Sequence, residues 1–124
     1  MARRDLTKKS KPQLKKILWE YFSKYIRARD NYTCYTCGKP GNQAGHYIPR
    51  SQGSATYYHE MNVKCQCYHC NINLSGNSFI FREKLVQEYG EPAVLALEQL
   101  GKTIKKLEKP ELIELIEKYK SLIR

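Results

Sequence analysis

The fold is decided by two short cysteine motifs, Cys34-Tyr35-Thr36-Cys37-Gly38 and Cys67-Tyr68-His69-Cys70. Each Cys-x-x-Cys turn can present two thiolates to one metal ion, and two such turns close a tetrahedral site. Zinc suits four soft sulfur ligands and needs no redox chemistry. We therefore predict a structural zinc bound by Cys34, Cys37, Cys67 and Cys70, with no ligand position left for a substrate. The alternative is that one pair is redox-active or simply buried.

Cys65 is the fifth cysteine, and Cys65-Gln66-Cys67 offers a different ligand. We favour Cys67, because the Cys-x-x-Cys turn presents both sulfurs to one side, and expect Cys65 to be a free thiol packed under a strand. Metal binding by cysteines is typical of a reducing compartment. The chain also lacks an apolar run of the ~18 residues that span a bilayer and the apolar segment of a signal peptide. We expect a cytoplasmic protein.

The region between and after the cysteine motifs predicts short strands and helices. Extended pieces are expected at 44–48 and 63–66, with a turn-rich loop at 49–54. After Cys70 we expect a helical turn, a break near Gly76 and a helix over 78–89, with Gly90 as its left-handed stop. These elements indicate an α+β fold.

Helical periodicity flanks this centre on both sides. Ser10 and Pro12 can cap and open a helix, and the residues before it are polar, basic and expected to be mobile. Its apolar face holds Leu14, Ile17, Leu18, Tyr21, Phe22, Tyr25 and Ile26. Two further helices are expected from Glu91 to Gly101 and from Pro110. The last carries a stripe for packing or for a homodimer interface, formed by Leu112, Leu115, Ile116, Tyr119, Leu122 and Ile123.

We accordingly divide the chain into a basic arm and amphipathic helix (1–30), a zinc-stapled core (31–90) and a C-terminal helical pair (91–124), all in one compact domain. Of the 22 basic residues, ten lie within the first 30 positions, where only three acidic residues oppose them. A formal charge of +10 favours a polyanionic partner through phosphate contacts. The alternative is a soluble basic protein with a solvated face. The expected DNA contacts are Arg3, Arg4, Lys8, Lys9, Lys15, Lys16, Lys24, Arg27 and Arg50.

One family combines these motifs in this order. The matching pieces are Trp19-x-x-Phe22-Ser23-x-Tyr25-Ile26-Arg27-x-Arg29-Asp30, Cys34-x-x-Cys37-Gly38, Gln43-Ala44-Gly45-His46-Tyr47, Asn62-Val63-x-x-Gln66-Cys67-x-x-Cys70-Asn71 and Ser75-Gly76-Asn77. Over about residues 14–90 the chain resembles the NinG/Rap family of phage recombination endonucleases. The order of cysteines, histidine and asparagine is also similar to the zinc-bearing phage endonuclease that resolves DNA junctions.

The resemblance implies a ββα-metal core of the His-Me finger (HNH-like) class that cuts branched DNA, such as Holliday junctions, inside a bacterial host cell. His46 would be the general base, since a neutral imidazole can take a proton from attacking water. Asn71 would bind a catalytic Mg²⁺ or Mn²⁺ through its amide oxygen. Asn62 would orient His46 or brace the loop. Paired cuts at a junction would suit a homodimer.

The chain departs from the family pattern at the metal site. An acidic residue three positions before the histidine, or directly before it, can bind the catalytic metal in the family. Here those positions hold Gln43 and Gly45, and a neutral amide binds Mg²⁺ more weakly than a carboxylate does. Gln43 is one candidate ligand, and His59, Glu60 or Glu83 are the alternatives.

Three functions from different classes follow from these features. His46 with Asn71 favours a structure-selective DNA endonuclease. Gln43 in place of an acid favours a non-catalytic zinc-ribbon module that binds DNA as a recombination accessory. The nearly balanced charge of residues 91–124 favours an adaptor that binds proteins through its C-terminal helices.

Overall fold

The computed structural model describes residues 3–52 and 54–123. Gly53, in the loop expected at 49–54, and Met1 and Ala2, in the arm expected to be mobile, lie outside the described residues. The helices are α1 (Arg3–Thr7), α2 (Lys11–Arg29), α3 (Ser78–Tyr89), α4 (Glu91–Leu100) and α5 (Lys109–Leu122). The strands are β1 (Gln43–His46) and β2 (Val63–Gln66), and a π-helical turn covers His69–Asn73. No helix in the described part of the chain is long and apolar enough to span a membrane.

The chain divides into two compact units. Unit 1 combines residues 1–25 with 106–124, and unit 2 comprises residues 26–105. These boundaries cut across the three segments expected from the sequence. The basic helix up to Tyr25 shares a unit with the last helix, whereas its end and α4 belong with the cysteine-bearing region.

Helix α2 begins with a reciprocal cap. The Ser10 N–H donates to Gln13 Oε1 at 2.9 Å, and the Gln13 N–H donates to Ser10 Oγ at 3.4 Å, so two donors at the helix start are satisfied. From the expected stripe, Leu14, Leu18 and Phe22 are fully buried in unit 1.

The N-terminal arm differs from the mobile segment that the sequence predicts. Residues Arg3–Thr7 form helix α1, and its Leu6 is only 2% exposed. Arg3 forms an ion pair with Glu117 of α5, and the Lys109 ammonium donates to the Thr7 carbonyl at 3.1 Å. A single buried leucine therefore anchors a segment whose composition is otherwise that of a solvated arm.

Helix α5 starts with a capping box between Glu108 and Glu111. From the stripe expected for packing or dimerisation, Leu112, Ile116 and Tyr119 are buried inside unit 1. Tyr119 packs edge-to-face on Phe22 with ring centroids 4.9 Å apart. Three of the six residues of this stripe therefore belong to the core of unit 1, whereas Leu122 is half exposed.

In unit 2, β1 and β2 form a two-stranded antiparallel sheet in which Gln43 pairs with Gln66 and His46 pairs with Val63. Strand β2 has the expected bounds, whereas β1 ends two residues before the expected Ile48. The reason is that the Ile48 N–H donates to the Asn62 side chain at 2.7 Å instead of to a neighbouring strand.

Helices α3 and α4 provide the apolar core of unit 2. Gly90 between them has φ 90° as expected for a glycine stop, but its ψ of 154° is extended and not left-handed helical. The cluster of buried residues consists of Ile48, Phe81, Leu85, Val94 and Leu97. Ile48 follows β1, so this core supports the end of the strand that carries His46.

Candidate zinc centre and active site

The four predicted cysteines lie together in unit 2. The Sγ atoms of Cys34, Cys37, Cys67 and Cys70 are all within 4.8 Å of one another, and those of Cys37 and Cys67 are 3.7 Å apart. Zinc–sulfur bonds of about 2.3 Å in a tetrahedron separate the sulfurs by about 3.8 Å. The residues therefore fit one zinc ion with a complete four-thiolate shell.

Two glycines shape the backbone around these cysteines. Gly38 has φ 80°, and a Cβ at Gly41 would come within 2.8 Å of the Gln66 backbone. Burial raises the pKa of the Cys34 thiol, but hydrogen bonds from the Thr36 hydroxyl and from nearby backbone N–H groups outweigh it and lower the pKa to about 6. These donors favour the thiolate, which is the form that binds metal.

Cys65 does not belong to the four-cysteine cluster. Its side chain is fully buried in β2, and its thiol donates to the Gly41 carbonyl at 3.4 Å. Burial raises the pKa of this thiol to about 11. Cys65 is therefore a protonated packing residue.

Two amide side chains meet beside the four-cysteine cluster. Asn71 lies in the π-helical turn directly after Cys70, and Gln43 begins β1. The Asn71 Nδ2 donates to Gln43 Oε1 at 2.8 Å. The structure thus brings together the two residues proposed as ligands of a catalytic ion.

Gln66 is a third amide at this point, and the sequence motifs did not assign it a role. Its Nε2 donates to Thr36 Oγ1 at 3.1 Å and to the Gly76 carbonyl at 2.9 Å. Because Gly76 O can only accept, this bond fixes the amide orientation. Gln66 Oε1 is buried and has no hydrogen-bond partner within the described part of the chain.

Gly45 leaves room for this amide. A Cβ at Gly45 would lie 1.8 Å from Gln66 Oε1 and 2.9 Å from Asn71 Oδ1. The position directly before His46 therefore cannot carry a side chain while Gln66 keeps its place. The spacing along the sequence gives no signal of this contact, because it depends on the register of the two strands.

His46 is held by the loop between the strands. Its Nε2 lies 3.0 Å from the Tyr57 carbonyl oxygen, and the two rings are 5.1 Å apart between centroids. Since a carbonyl oxygen only accepts, Nε2 carries the proton and the lone pair lies on Nδ1. Burial lowers the pKa of His46, with Arg50 adding to the effect and the Tyr57 carbonyl opposing it.

His46 and the amide pair lie on different faces of the sheet. Successive side chains of a strand point to opposite faces, so Gln43 and Gly45 share one face and His46 takes the other. The contacts agree, because Gly45 faces Asn71 whereas His46 contacts Tyr57. The imidazole and the amide pair therefore lie on opposite faces of β1, with Gln43 at its start and His46 at its end.

Asn62 is fully buried and braces the loop. Its Oδ1 accepts from the Ile48 N–H at 2.7 Å, and its Nδ2 donates to the carbonyls of Ile48 and Thr56 at 3.2 and 3.1 Å. Thr56 precedes the residue that holds His46. Asn62 therefore braces the loop whose Tyr57 carbonyl contacts His46.

The alternative acidic and histidine ligands lie elsewhere. His59 and Glu60 line a cavity of about 560 Å³ together with Arg29, Lys64 and Glu88. The His59 Nδ1 accepts from the Met61 N–H at 3.2 Å. Glu83 is exposed on α3. The structure thus joins Asn71 to Gln43 and to none of these three.

The predicted DNA contacts fall into both units. Unit 1 carries the ion-paired Arg3 together with Arg4, Lys8, Lys9, Lys15, Lys16 and Lys24. In unit 2, Arg27 donates to Asn42 Oδ1 at 3.1 Å and Arg50 donates to the Tyr57 hydroxyl at 3.4 Å. Arg50 therefore lies beside the loop that holds His46. The aromatic ring of Phe79, 74% accessible at the start of α3, is an exposed feature that no sequence motif indicated.

Comparison with known proteins gives a consistent family assignment. The family described as Bacteriophage Lambda NinG protein matches residues 1–124. The chain is 33% identical over 78 residues to "Protein ninG" of Escherichia phage lambda, an alignment that covers 60% of this chain and 38% of that protein. "Protein ninG" of Salmonella phage P22 matches with the same identity and coverage, and that of Escherichia phage 933W is covered to 39%. The aligned part of the chain thus spans about two fifths of the length of these relatives. No solved structure matches.

Proposed function

The chain belongs to the NinG family, and on that premise we propose that it is a metal-dependent DNA endonuclease that cuts branched DNA, with Holliday junctions as the leading substrate. Two antiparallel strands followed by a helical turn give the order of a ββα-metal core of the His-Me finger class. Zinc at the cysteine cluster would fix the loop before β1 against the turn after β2. Such bracing is what a preorganised site requires.

The protonation state of His46 is the main support for the proposal. With its pKa lowered by burial and its Nε2 proton donated to Tyr57 O, the ring is neutral at pH 7 and offers a lone pair on Nδ1. A neutral imidazole in this state can take a proton from water as the water attacks phosphorus. Asn62 and Tyr57 keep the ring in position during that transfer.

Gln43 and Asn71 would hold the divalent ion, Mg²⁺ or Mn²⁺, through their amide oxygens. A carbonyl-type oxygen has two lone pairs, so Gln43 Oε1 can keep its hydrogen bond from Asn71 and still bind a cation. When bound, the ion supplies stabilisation of the charge that develops on the phosphate and on the leaving oxygen.

Cleavage of an immobile four-way junction, measured beside linear duplex in Mg²⁺ and in EDTA, tests the proposal. His46→Ala should reduce the rate by about 10²–10⁴-fold, the usual loss of a general base, and leave DNA affinity intact. Asn71→Ala should also stop cleavage, with partial recovery at raised Mn²⁺, because it weakens the metal site and keeps the base. Both variants should retain zinc.

His69→Ala is the matched control, since His69 is exposed and its ring bonds its helical neighbour Asn73. It should cut at the wild-type rate. A wild-type protein that never cuts branched DNA in Mg²⁺ or Mn²⁺, or a His46→Ala protein of full activity, would overturn the endonuclease assignment.

The second candidate function is a non-catalytic zinc module that binds DNA in recombination. The neutral Gln43 beside Asn71 favours it, because a site without a carboxylate binds Mg²⁺ weakly. This function predicts salt-sensitive DNA binding with no cleavage in either metal.

A further inference from the structure

A basic segment lies between α4 and α5, outside the residues that the sequence predicts to bind DNA. We call residues 102–105 the lysine segment. Lys102 and Lys105 are exposed, and Ile104 between them is 75% exposed. The nearly balanced charge of residues 91–124 hides this segment, because the opposing carboxylates lie on the helices around it.

The lysine segment is fastened to the loop between the two strands. The Ser54 hydroxyl donates to the Lys105 carbonyl at 2.9 Å, and the Lys105 N–H donates back to Ser54 Oγ at 2.7 Å. The Ala55 N–H also donates to the Thr103 carbonyl at 3.3 Å. Ser54 therefore holds both the N–H and the carbonyl of Lys105, and with them the backbone of the lysine segment.

The same loop holds His46. The Tyr57 N–H donates to the Ser54 carbonyl at 3.3 Å, and the Tyr57 carbonyl contacts His46 Nε2 at 3.0 Å. Arg50 reaches the Tyr57 hydroxyl from the start of this loop. A short chain of hydrogen bonds thus connects the lysine segment to the candidate general base.

Lys102 also borders a groove in unit 2. The groove has a volume of about 530 Å³, and Lys102 shares its lining with Gln52, Ser75 and Ser78. Glu98, the carboxylate in that lining, is bonded by Arg82 at 2.8 Å, and Arg82 also pairs with Glu91 at 2.7 Å, so one positive charge is shared between two carboxylates. Lysine, hydroxyl and amide side chains are the usual partners of DNA phosphates.

We propose that the lysine segment is a second DNA-backbone contact, in which Lys102 and Lys105 bind phosphates next to the bond cut at His46. The Ser54 hydrogen bonds keep that contact in fixed relation to the His46 loop. This inference rests on the proposed function for the identity of the polyanion as DNA, and it adds where the DNA runs in unit 2.

The salt dependence of junction binding tests the contact. Lys102→Gln with Lys105→Gln should make the negative slope of log affinity against log salt shallower by about 0.9 for each phosphate that the variant no longer binds. Lys102→Arg with Lys105→Arg keeps both charges and should keep the slope. Lys84→Gln with Lys118→Gln changes the net charge equally and should leave the slope nearly unchanged. An unchanged slope in the Lys102→Gln, Lys105→Gln variant, or an equally shallow slope in the Lys84→Gln, Lys118→Gln variant, overturns the contact.

Ser54→Ala tests the coupling to His46. It should lower the cleavage rate at saturating junction and keep the salt slope, and Ser54→Thr, which restores the hydroxyl, should recover the rate. Unchanged cleavage by Ser54→Ala removes the positioning role. If the wild type binds but never cuts, cleavage fails as a function while the lysine contact is still decided by the slope.

Discussion

Gly45 determines where an acidic metal ligand can stand in this site. A side chain there would collide with the buried Gln66 amide, whose orientation is fixed by Thr36 and Gly76. Gln43, two residues earlier on the same face, already contacts Asn71. A carboxylate can therefore enter this site at position 43 and not at position 45.

Gln43→Asp should therefore tighten Mg²⁺ binding and raise cleavage at low Mg²⁺, because a carboxylate binds a hard cation more strongly than an amide does. Gly45→Asp should reduce cleavage and lower the free energy of unfolding by about 1–3 kcal/mol, as overpacking usually does. Cleavage as a function of Mg²⁺ and urea unfolding measure the two effects. Stronger Mg²⁺ binding by Gly45→Asp would show that Gln66 moves aside.

The lowered pKa of His46 predicts how the cleavage rate depends on pH. A general base works in its neutral form, and burial shifts the loss of that form below the ordinary value of 6.5. Single-turnover cleavage should thus be flat near neutrality and fall on the acid side. Arg50→Gln removes a charge that lowers the pKa of His46, so it should move this fall to higher pH. A fall already complete at about pH 7 would argue against His46 as the base.

At the scale of elements, the sequence predicted those strands and helices that are defined by residues close together in the chain. Strand β2 and helix α3 have the expected bounds, because an alternating run and a glycine stop define them within a few residues. Helix α1 was missed because one buried leucine leaves no periodic pattern. The helical turn expected after Cys70 is present over His69–Asn73, but its π form was not expected: the Leu74 N–H reaches back to the His69 carbonyl. The Gly45–Gln66 contact requires the register of two strands, which no motif states.

The four cysteines join the loop before β1 to the turn after β2, so loss of one ligand should be severe. Apparent zinc-binding free energies of about 10–16 kcal/mol match or exceed the stability of a whole domain. Cys67→Ser should release zinc and unfold the zinc-bearing part of unit 2. Cys65→Ser should retain one zinc, because Cys65 lies outside the cluster. Metal analysis measures the zinc content of each variant, and circular dichroism measures its loss of structure. Equal losses in both variants would contradict the ligand set.

At the scale of the whole molecule, positive charge is spread over both units. Unit 1 carries most of the basic residues predicted to bind DNA, and unit 2 carries Arg27, Arg50 and the lysine segment. Deleting the N-terminal arm would not isolate the charge effect, since Leu6 is buried and Arg3 pairs with Glu117. Removing Leu6 would itself destabilise unit 1 by about 2–5 kcal/mol.

The N-terminal charges are better tested by substitution than by deletion. Arg4→Gln, Lys8→Gln and Lys9→Gln together remove three positive charges and leave Leu6 and Arg3 in place. The negative slope of log affinity against log salt should become shallower by about 0.9 for each phosphate that these side chains bind in the wild type. The melting temperature should stay close to that of the wild type, whereas deletion of residues 1–10 should lower it. If the triple variant keeps the wild-type slope on a four-way junction while the Lys102 and Lys105 pair changes it, the DNA contacts lie in unit 2 and the basic arm serves only to pack unit 1.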